Sequence, residues 1–318
     1  MKDYLPATKP SLMTQTPQEN NNILAILAPG TFVLIWSTGF VFAKMALPYA
    51  ETMTLLATRF LIAVGLLLLI SFIWKAKWPK TLMQTVHIAV AGILLHALYL
   101  GGVFASIELG LQAGVAALIV GIQPLLVAFA AGIFLKEKIT IRQWIGLFLG
   151  VSGVILVVWA KLENGLGTPL GVSIAVLALF GISIGTVYQK RFCGEMDLRT
   201  GAVIQYTAAS IPTGILAYFT ESMTINWTGE MIFAMFWLVV VLSVGAISLL
   251  YVLIRKGAAS KVSSMFFLVP PTAALMAWVL YDETFRSTAL VGMAMTVFGV
   301  ALVNLKPIKR LGLRTRPS

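Results

Sequence analysis

Charged side chains in this sequence come in clumps, and long runs without any lie between them. These runs are 20–43, 60–74, 88–107, 109–135, 143–160, 164–189, 200–220, 231–254, 262–281 and 287–305. A membrane-spanning helix needs about 20 mostly apolar residues. Nine of the runs reach or approach that length, and 60–74 does so once it extends back over Arg59 to about residue 53. Lipid accepts only helices and closed barrels, because every backbone polar group must be satisfied internally. Barrel strands alternate apolar and polar positions, and these runs do not. The pattern predicts an all-α integral membrane protein with ten transmembrane helices. Residues 1–22 are polar, with three prolines and three consecutive asparagines. They lack the basic start, apolar stretch and cleavage site of a signal peptide and are expected to form a disordered cytoplasmic tail. Residues 306–318 form a second, basic tail.

The pattern is also written twice. WSTGFVFAK at 36–44 returns 146 residues later as ISIGTVYQK at 182–190, matching Ser37 to Ser183, Gly39 to Gly185 and Lys44 to Lys190. The same offset carries Pro124 onto Pro270, Glu137 onto Glu283, Gly146 onto Gly292 and Gly153 onto Gly299, and sets Arg59 against Gln205. Each copy, 23–161 and 168–305, holds five helices. Five is odd, so the second copy enters the membrane from the opposite side. The expected architecture is two inverted five-helix repeats, an arrangement that recurs in alternating-access carriers.

Composition agrees with a membrane protein. The chain is 59% hydrophobic and 11% charged, with mean hydropathy +0.92, against about 25% charged residues in soluble domains. The net charge of +11 raises the question of nucleic acid, but its placement answers it. Twelve basic residues lie on loops after the even-numbered helices and seven on the tails, 19 of the 23 in all. The positive-inside rule then places both termini in the cytoplasm, and the charge is a topology signal. No disulfide can form within a chain with one cysteine, and His87, His96 and Cys193 do not make a metal site. There is no phosphate-binding GxxxxGK[ST]. No metal and no cofactor are expected.

At this point the residues resemble a known family. WSTGFVFAKMALPYAETMTLLATRF, AALIVGIQPLLVAFAAGIFLKEKITIRQWIGLFLGVSGVILV and SKVSSMFFLVPPTAALMAWVLYDETFRSTALVGMAMTVFGVALV look like two tandem EamA domains. The chain therefore resembles the ten-helix type of the drug/metabolite transporter superfamily, over nearly everything except the tails. The resemblance implies small-molecule transport in a plasma (inner) membrane, often export of amino acids or other metabolites. The expected partners are a small-molecule substrate and the bilayer, not nucleic acid, with a homodimer left open. The alternative is a non-transporting membrane receptor or assembly protein; an intramembrane enzyme would need a nucleophile–base or metal constellation that the spans do not offer.

Charges inside spans are costly and mark function by default. Arg59, about two turns into helix 2, and Lys44, in the last turn of helix 1, are candidate binders of a substrate carboxylate or phosphate. Against this, Lys44 can snorkel to the interface, and Arg59 can pair with Glu51, Glu108 or helix-end carbonyls. Trp36, Ser37, His96, Tyr99, Gln123, Ser183, Tyr188, Gln205 and Tyr251 are further candidates, as polar or amphipathic side chains expected to face the bundle interior. Thr38, Tyr206 and Ser248 share that property. Pro124, and Pro270 with Pro271, sit mid-span in helices 4 and 9 and predict hinges or helix breaks. Gly146, Gly150 and Gly153 predict close helix packing. No acid lies deep in a span, which favours a facilitator, an exchanger, or proton coupling through His96.

Overall fold

The computed structural model describes residues 18–111, 113–159, 168–281 and 287–305. Among the described residues the chain is almost wholly helical. Helix α1 (Gln18–Ala46) leads through a short 3-10 turn to α2 (Thr52–Ile73). Helix α3 (Leu82–Gly92) continues through a π-helical stretch, Ile93–Gly101, into α4 (Gly102–Glu108). Then come α5 (Ala113–Val120), α6 (Gln123–Phe134) and α7 (Ile141–Trp159). Beyond residue 168 the order recurs: α8 (Pro169–Phe192), α9 (Leu198–Thr220), and α10 (Gly229–Phe236), which runs through a π-helical stretch, Trp237–Ala246, into α11 (Ile247–Lys256). Helix α12 (Ala259–Ser264) passes through a 3-10 turn at Met265–Leu268 into α13 (Val269–Tyr281), and α14 (Ser287–Asn304) ends the series.

Six helical segments are long and apolar enough to cross a membrane, and 118–134 and 141–157 are shorter apolar helices. The ten runs without charge are thus helical over most of their described residues, and two are interrupted within. The fourth breaks at residues 121–122 and the ninth at 265–268. Each break falls just before the proline instead of at it. Proline is tolerated in a helix's first turn, where its missing N–H would be unpaired anyway. Pro124 and Pro270 each take the second position of the helix that follows.

Large apolar side chains face outward, as lipid requires. Phe72 is 85% exposed, and Leu82, Phe219 and Val279 also point away from the bundle. The interior closes on Phe32, Phe60, Tyr206 and Phe267, all buried. Helix ends are tied across the sequence halves. The Glu221 carboxylate, past the end of α9, accepts from Met53 N and Thr54 N at 2.6 Å and so caps α2. Glu137, past the end of α6, accepts from Ala259 N at 2.7 Å and from the Ser260 hydroxyl at 2.9 Å, capping α12. These bonds pair anions with the positive ends of helices.

Helices α7 and α14 approach most closely. A Cβ added at Gly146 would lie 2.6 Å from Gly299 O, and one at Gly299 would lie 2.6 Å from Gly146 O. Gly153 and Gly292 stand in the same mutual relation, again at 2.6 Å. Only glycine lets two backbones meet this way.

Candidate functional site

The third helix of each half is unwound to π geometry at a comparable place. π turns are rare and cluster at functional sites. The first π stretch carries His96 and Tyr99, both buried, and the second carries Ser243. Gly92, just before the first stretch, lets α3 settle onto α9: a Cβ there would lie 2.4 Å from Gln205 Cα. That contact sets the Gln205 side chain level with His96.

A polar network fills the space between. Arg59 of α2, 8% exposed, donates from Nε to Ser243 Oγ at 2.9 Å. Tyr206 of α9 donates to Ser243 O at 2.8 Å and stacks on the His96 ring at 4.5 Å between centroids. His96 Nε2 lies 3.1 Å from the Tyr251 hydroxyl, which donates to Gln205 Oε1. Gln205 Nε2 donates to Gln189 Oε1 at 2.7 Å. With the two amides in this orientation the single Tyr251 proton goes to Gln205, and His96 donates from Nε2. Its Nδ1 is left as an acceptor, buried and without a partner.

Arg59 is the unusual member. Among the described residues no carboxylate pairs with it. Of the acids near the end of its helix, Glu221 caps α2, and Glu51 accepts from Ser222 N at 2.7 Å and from its hydroxyl at 2.6 Å; Glu108 lies near these two carboxylates and forms no ion pair with Arg59. A guanidinium inside a span with one neutral hydroxyl for company is expensive.

Beside the network lies a narrow pocket, closed in this state to about 10 Å³ or roughly the room of one water, and bounded by Trp36, Tyr99, Thr186, Tyr251 and Phe266. Trp36 is held by Phe32 and Phe266, with centroids 5.2 and 5.3 Å away. Ser37, on the next position of α1, donates to Val33 O at 2.7 Å and reaches Val269 O, at the start of α13, at 3.4 Å.

The predicted residues thus divide. Arg59, His96, Tyr99, Gln205, Tyr251 and Trp36 gather around the pocket and its network. Gln123 and Ser183 form a separate seam. Val127 and Ala131 of α6 pack with Val187 of α8, and Arg191 donates to Phe134 O at 3.1 Å further along both helices. One turn before Val127 and Val187 stand Gln123 and Ser183, both buried, and neither side chain has a partner. Tyr188 sits apart, 2.6 Å from His87 Nδ1, and packs on Phe192. The Lys44 side chain lies outside the described residues. Ser243 and Gln189 were not anticipated. Each is one of few polar residues in an apolar run, and that was their only signal.

A long helical membrane bundle, with an interior polar site walled by aromatic residues, is the form of a solute transporter. The profile of the EamA-like transporter family matches residues 23–159 and again 169–305, and the chain belongs to that family. It is 29% identical over 304 residues, 92% of this chain and 94% of the relative, to an uncharacterized transporter, YvbV, of Bacillus subtilis. It is 21% identical over 294 residues, 88% of this chain and 93% of the relative, to a protein of Escherichia coli named as a probable amino-acid metabolite efflux pump. A solved crystal structure superposes with a TM-score of 0.74 at 18% identity, covering 87% of this chain and 95% of that one. Family and named relatives alike point to a transporter and not to an enzyme.

Proposed function

We propose that this protein exports small organic solutes bearing a carboxylate, amino acids among them, by alternating access between two inverted repeats, 23–161 and 168–305. Both termini lie in the cytoplasm and the chain spans the plasma (inner) membrane ten times. The observation that carries the substrate class is Arg59, buried in the bundle with Ser243 as its one side-chain hydrogen-bond partner among the described residues. An anionic group on the solute supplies the missing counter-charge. Trp36, Tyr99 and Tyr251 wall the pocket that receives the rest of the solute. The names of relatives, a probable amino-acid metabolite efflux pump in one case and a probable terminal-alkyne amino-acid exporter in another, agree with this class.

Inversion is supported by the glycine seam. The 146-residue offset turns the Gly146–Gly299 contact into Gly292–Gly153, which is the other contact observed. A pair of helices that maps onto itself in this way has a two-fold axis across it. Alternation is supported by a contact that breaks the same symmetry. Ser37 reaches Val269 O; the offset turns this pair into Ser183 and Gln123, whose side chains stand unpaired. In the opposite-facing state the Ser183 seam closes and the Ser37 seam releases.

Counterflow in proteoliposomes tests the reading. Labelled amino acids accumulate against unlabelled ones in wild type. Arg59→Gln, shown to fold by its thermal transition, loses that flux, and Arg59→Lys keeps part of it. Full flux in Arg59→Gln removes the carboxylate anchor.

A further inference from the structure

A second, shallow pocket lies at the basic end of the bundle, with about 10 Å³ of free room, roughly that of one water. Its walls include Gln189, Lys190, Cys193, Tyr251 and Arg255. Tyr251 bounds this pocket and the central one alike. Its ring is therefore a shared partition, with its hydroxyl held by His96 and Gln205.

The donors around this outer pocket lack an anion. Lys190 Nζ donates to Ile254 O at 3.1 Å and to Gly257 O, two neutral carbonyls at the end of α11. Arg255 Nη2 donates to Met196 O. Gln189, buried, sends its Nε2 to the Met196 thioether at 3.8 Å, a weak acceptor that a carboxylate oxygen outcompetes. Neither Lys190 nor Arg255 forms an ion pair with a described residue. Topology alone explains basic residues at this end. It does not explain two cations and a buried amide arranged around one cavity against the partition of the central pocket.

We propose that Lys190, Arg255 and Gln189 form an outer station for the solute carboxylate, which docks there before Tyr251 swings aside and admits it to the central pocket. This rests on the reading of the protein as a carrier of carboxylates and adds a second site to it. The cations raise the local concentration of anionic solute at the mouth. The station is released when Tyr251 leaves Gln205, because the Gln205–Gln189 bond belongs to the same chain.

Cys193, the chain's single cysteine, lines the station and reports its occupancy without any need for flux. Burial pushes its thiol up to about 12, so alkylation is slow and its rate is the readout. In purified full-length protein, an equimolar mixture of glycine, alanine and leucine slows Cys193 alkylation saturably, and the corresponding amines without a carboxylate do not. Lys190→Gln and Arg255→Gln each weaken the protection by up to roughly fivefold, as for rim charges in partly solvated sites. Lys190→Arg restores it, and added salt weakens it in wild type. Arg59→Gln leaves the protection intact while counterflow is lost, which separates the station from the central anchor. Alkylation at one rate with and without the carboxylates, or protection unchanged in both Gln variants, overturns the proposal. Protection that disappears in Arg59→Gln also overturns it, since the effect then comes from the central site.

Discussion

The two broken helices of this protein occupy equivalent places 146 residues apart and yet differ. At the second break, Ser37 of α1 reaches the carbonyl of Val269. At the first, Ser183 of α8 and Gln123 of α6 are buried one turn before packed Val187 and Val127, with no hydrogen bond to either side chain. A buried polar group without a partner costs about 1–3 kcal/mol. A static scaffold gains nothing from keeping three such atoms along one seam. Under the proposed alternation a carrier does, because the seam that is strained in one state would be satisfied in the other. The glycine seam between α7 and α14 is the counter-example. Its close approaches are mutual, 2.6 Å in both the Gly146–Gly299 and the Gly153–Gly292 pair, although Thr296 lies against Gly153 where Gly150 lies against Gly299; under the proposed alternation this seam is the axis between the halves.

Six substitutions, in four groups, sharpen this contrast. The largest effect is expected where the halves differ in chemistry: Arg59 in one and Gln205 in the other. Arg59→Gln lowers counterflow by roughly a hundredfold, the scale of losing one partner from a desolvated charge contact of about 2–5 kcal/mol. Next comes the axis. Gly153→Ala and its mate Gly299→Ala should each lower stability by about 1–3 kcal/mol through overpacking, and by similar amounts, measured as thermal transitions in detergent. Unequal losses there break the symmetry claimed for the seam.

The serines come third and should act in opposite directions. Ser37→Ala removes a contact of the present state, and Ser183→Ala removes one of the alternate state. Ser37 gives its one proton mainly to Val33 O at 2.7 Å, so its 3.4 Å contact with Val269 O lies at the low end of the about 0.5–1.5 kcal/mol of a hydrogen bond; Ser37→Ala shifts the facing equilibrium by roughly twofold and Ser183→Ala by roughly two- to tenfold, read from the accessibility of single cysteines on either face. Shifts in the same direction dissolve the latch. The smallest effect is at the basic end of α9. Asp197 caps that helix through Arg199 N at 3.0 Å, and its bond to the Arg199 guanidinium holds the carboxyl down at about 2. A depressed carboxylate stabilises the fold above its unfolded value near 4 and loses that contribution as pH falls toward 2. The pair is partly solvated, so Asp197→Asn is expected to lower stability by only a few tenths of a kcal/mol at pH 7. The gap between variant and wild type should close as the pH approaches 2.

Much of this architecture was legible in the sequence because lipid imposes a simple rule. Runs without charge became helices, and Gly146 and Gly153 became a close contact because a Cβ is what separates two helix axes. Pro124 and Pro270 announced interruptions, although the breaks fall one or two residues earlier, where proline starts the next helix. The π-helical stretches carried no signal: ILLHALYLG and WLVVVLSVGA contain nothing that an α-helix would reject. Their geometry comes from packing, as the fit of Gly92 on Gln205 shows. For the same reason Ser243 was not foreseen as the partner of Arg59, since the bond joins residues 184 positions apart. Tyr188 illustrates the reverse case. It matched its neighbours in polarity and depth, yet its place on α8 turns it toward His87 and away from the pocket.

The exchange of roles between halves is tested most directly by pairs of distances. Spin labels at Phe134 and Phe192 report the α6–α8 seam, and labels at Leu47 and Val279 report the α1–α13 seam; all four side chains are exposed. Double electron–electron resonance in liposomes, with and without a transported amino acid, should show two distances for each pair. As one seam's short population grows, the other's should shrink. A single unchanging distance in both seams, in protein that carries out counterflow, would contradict alternation between the halves.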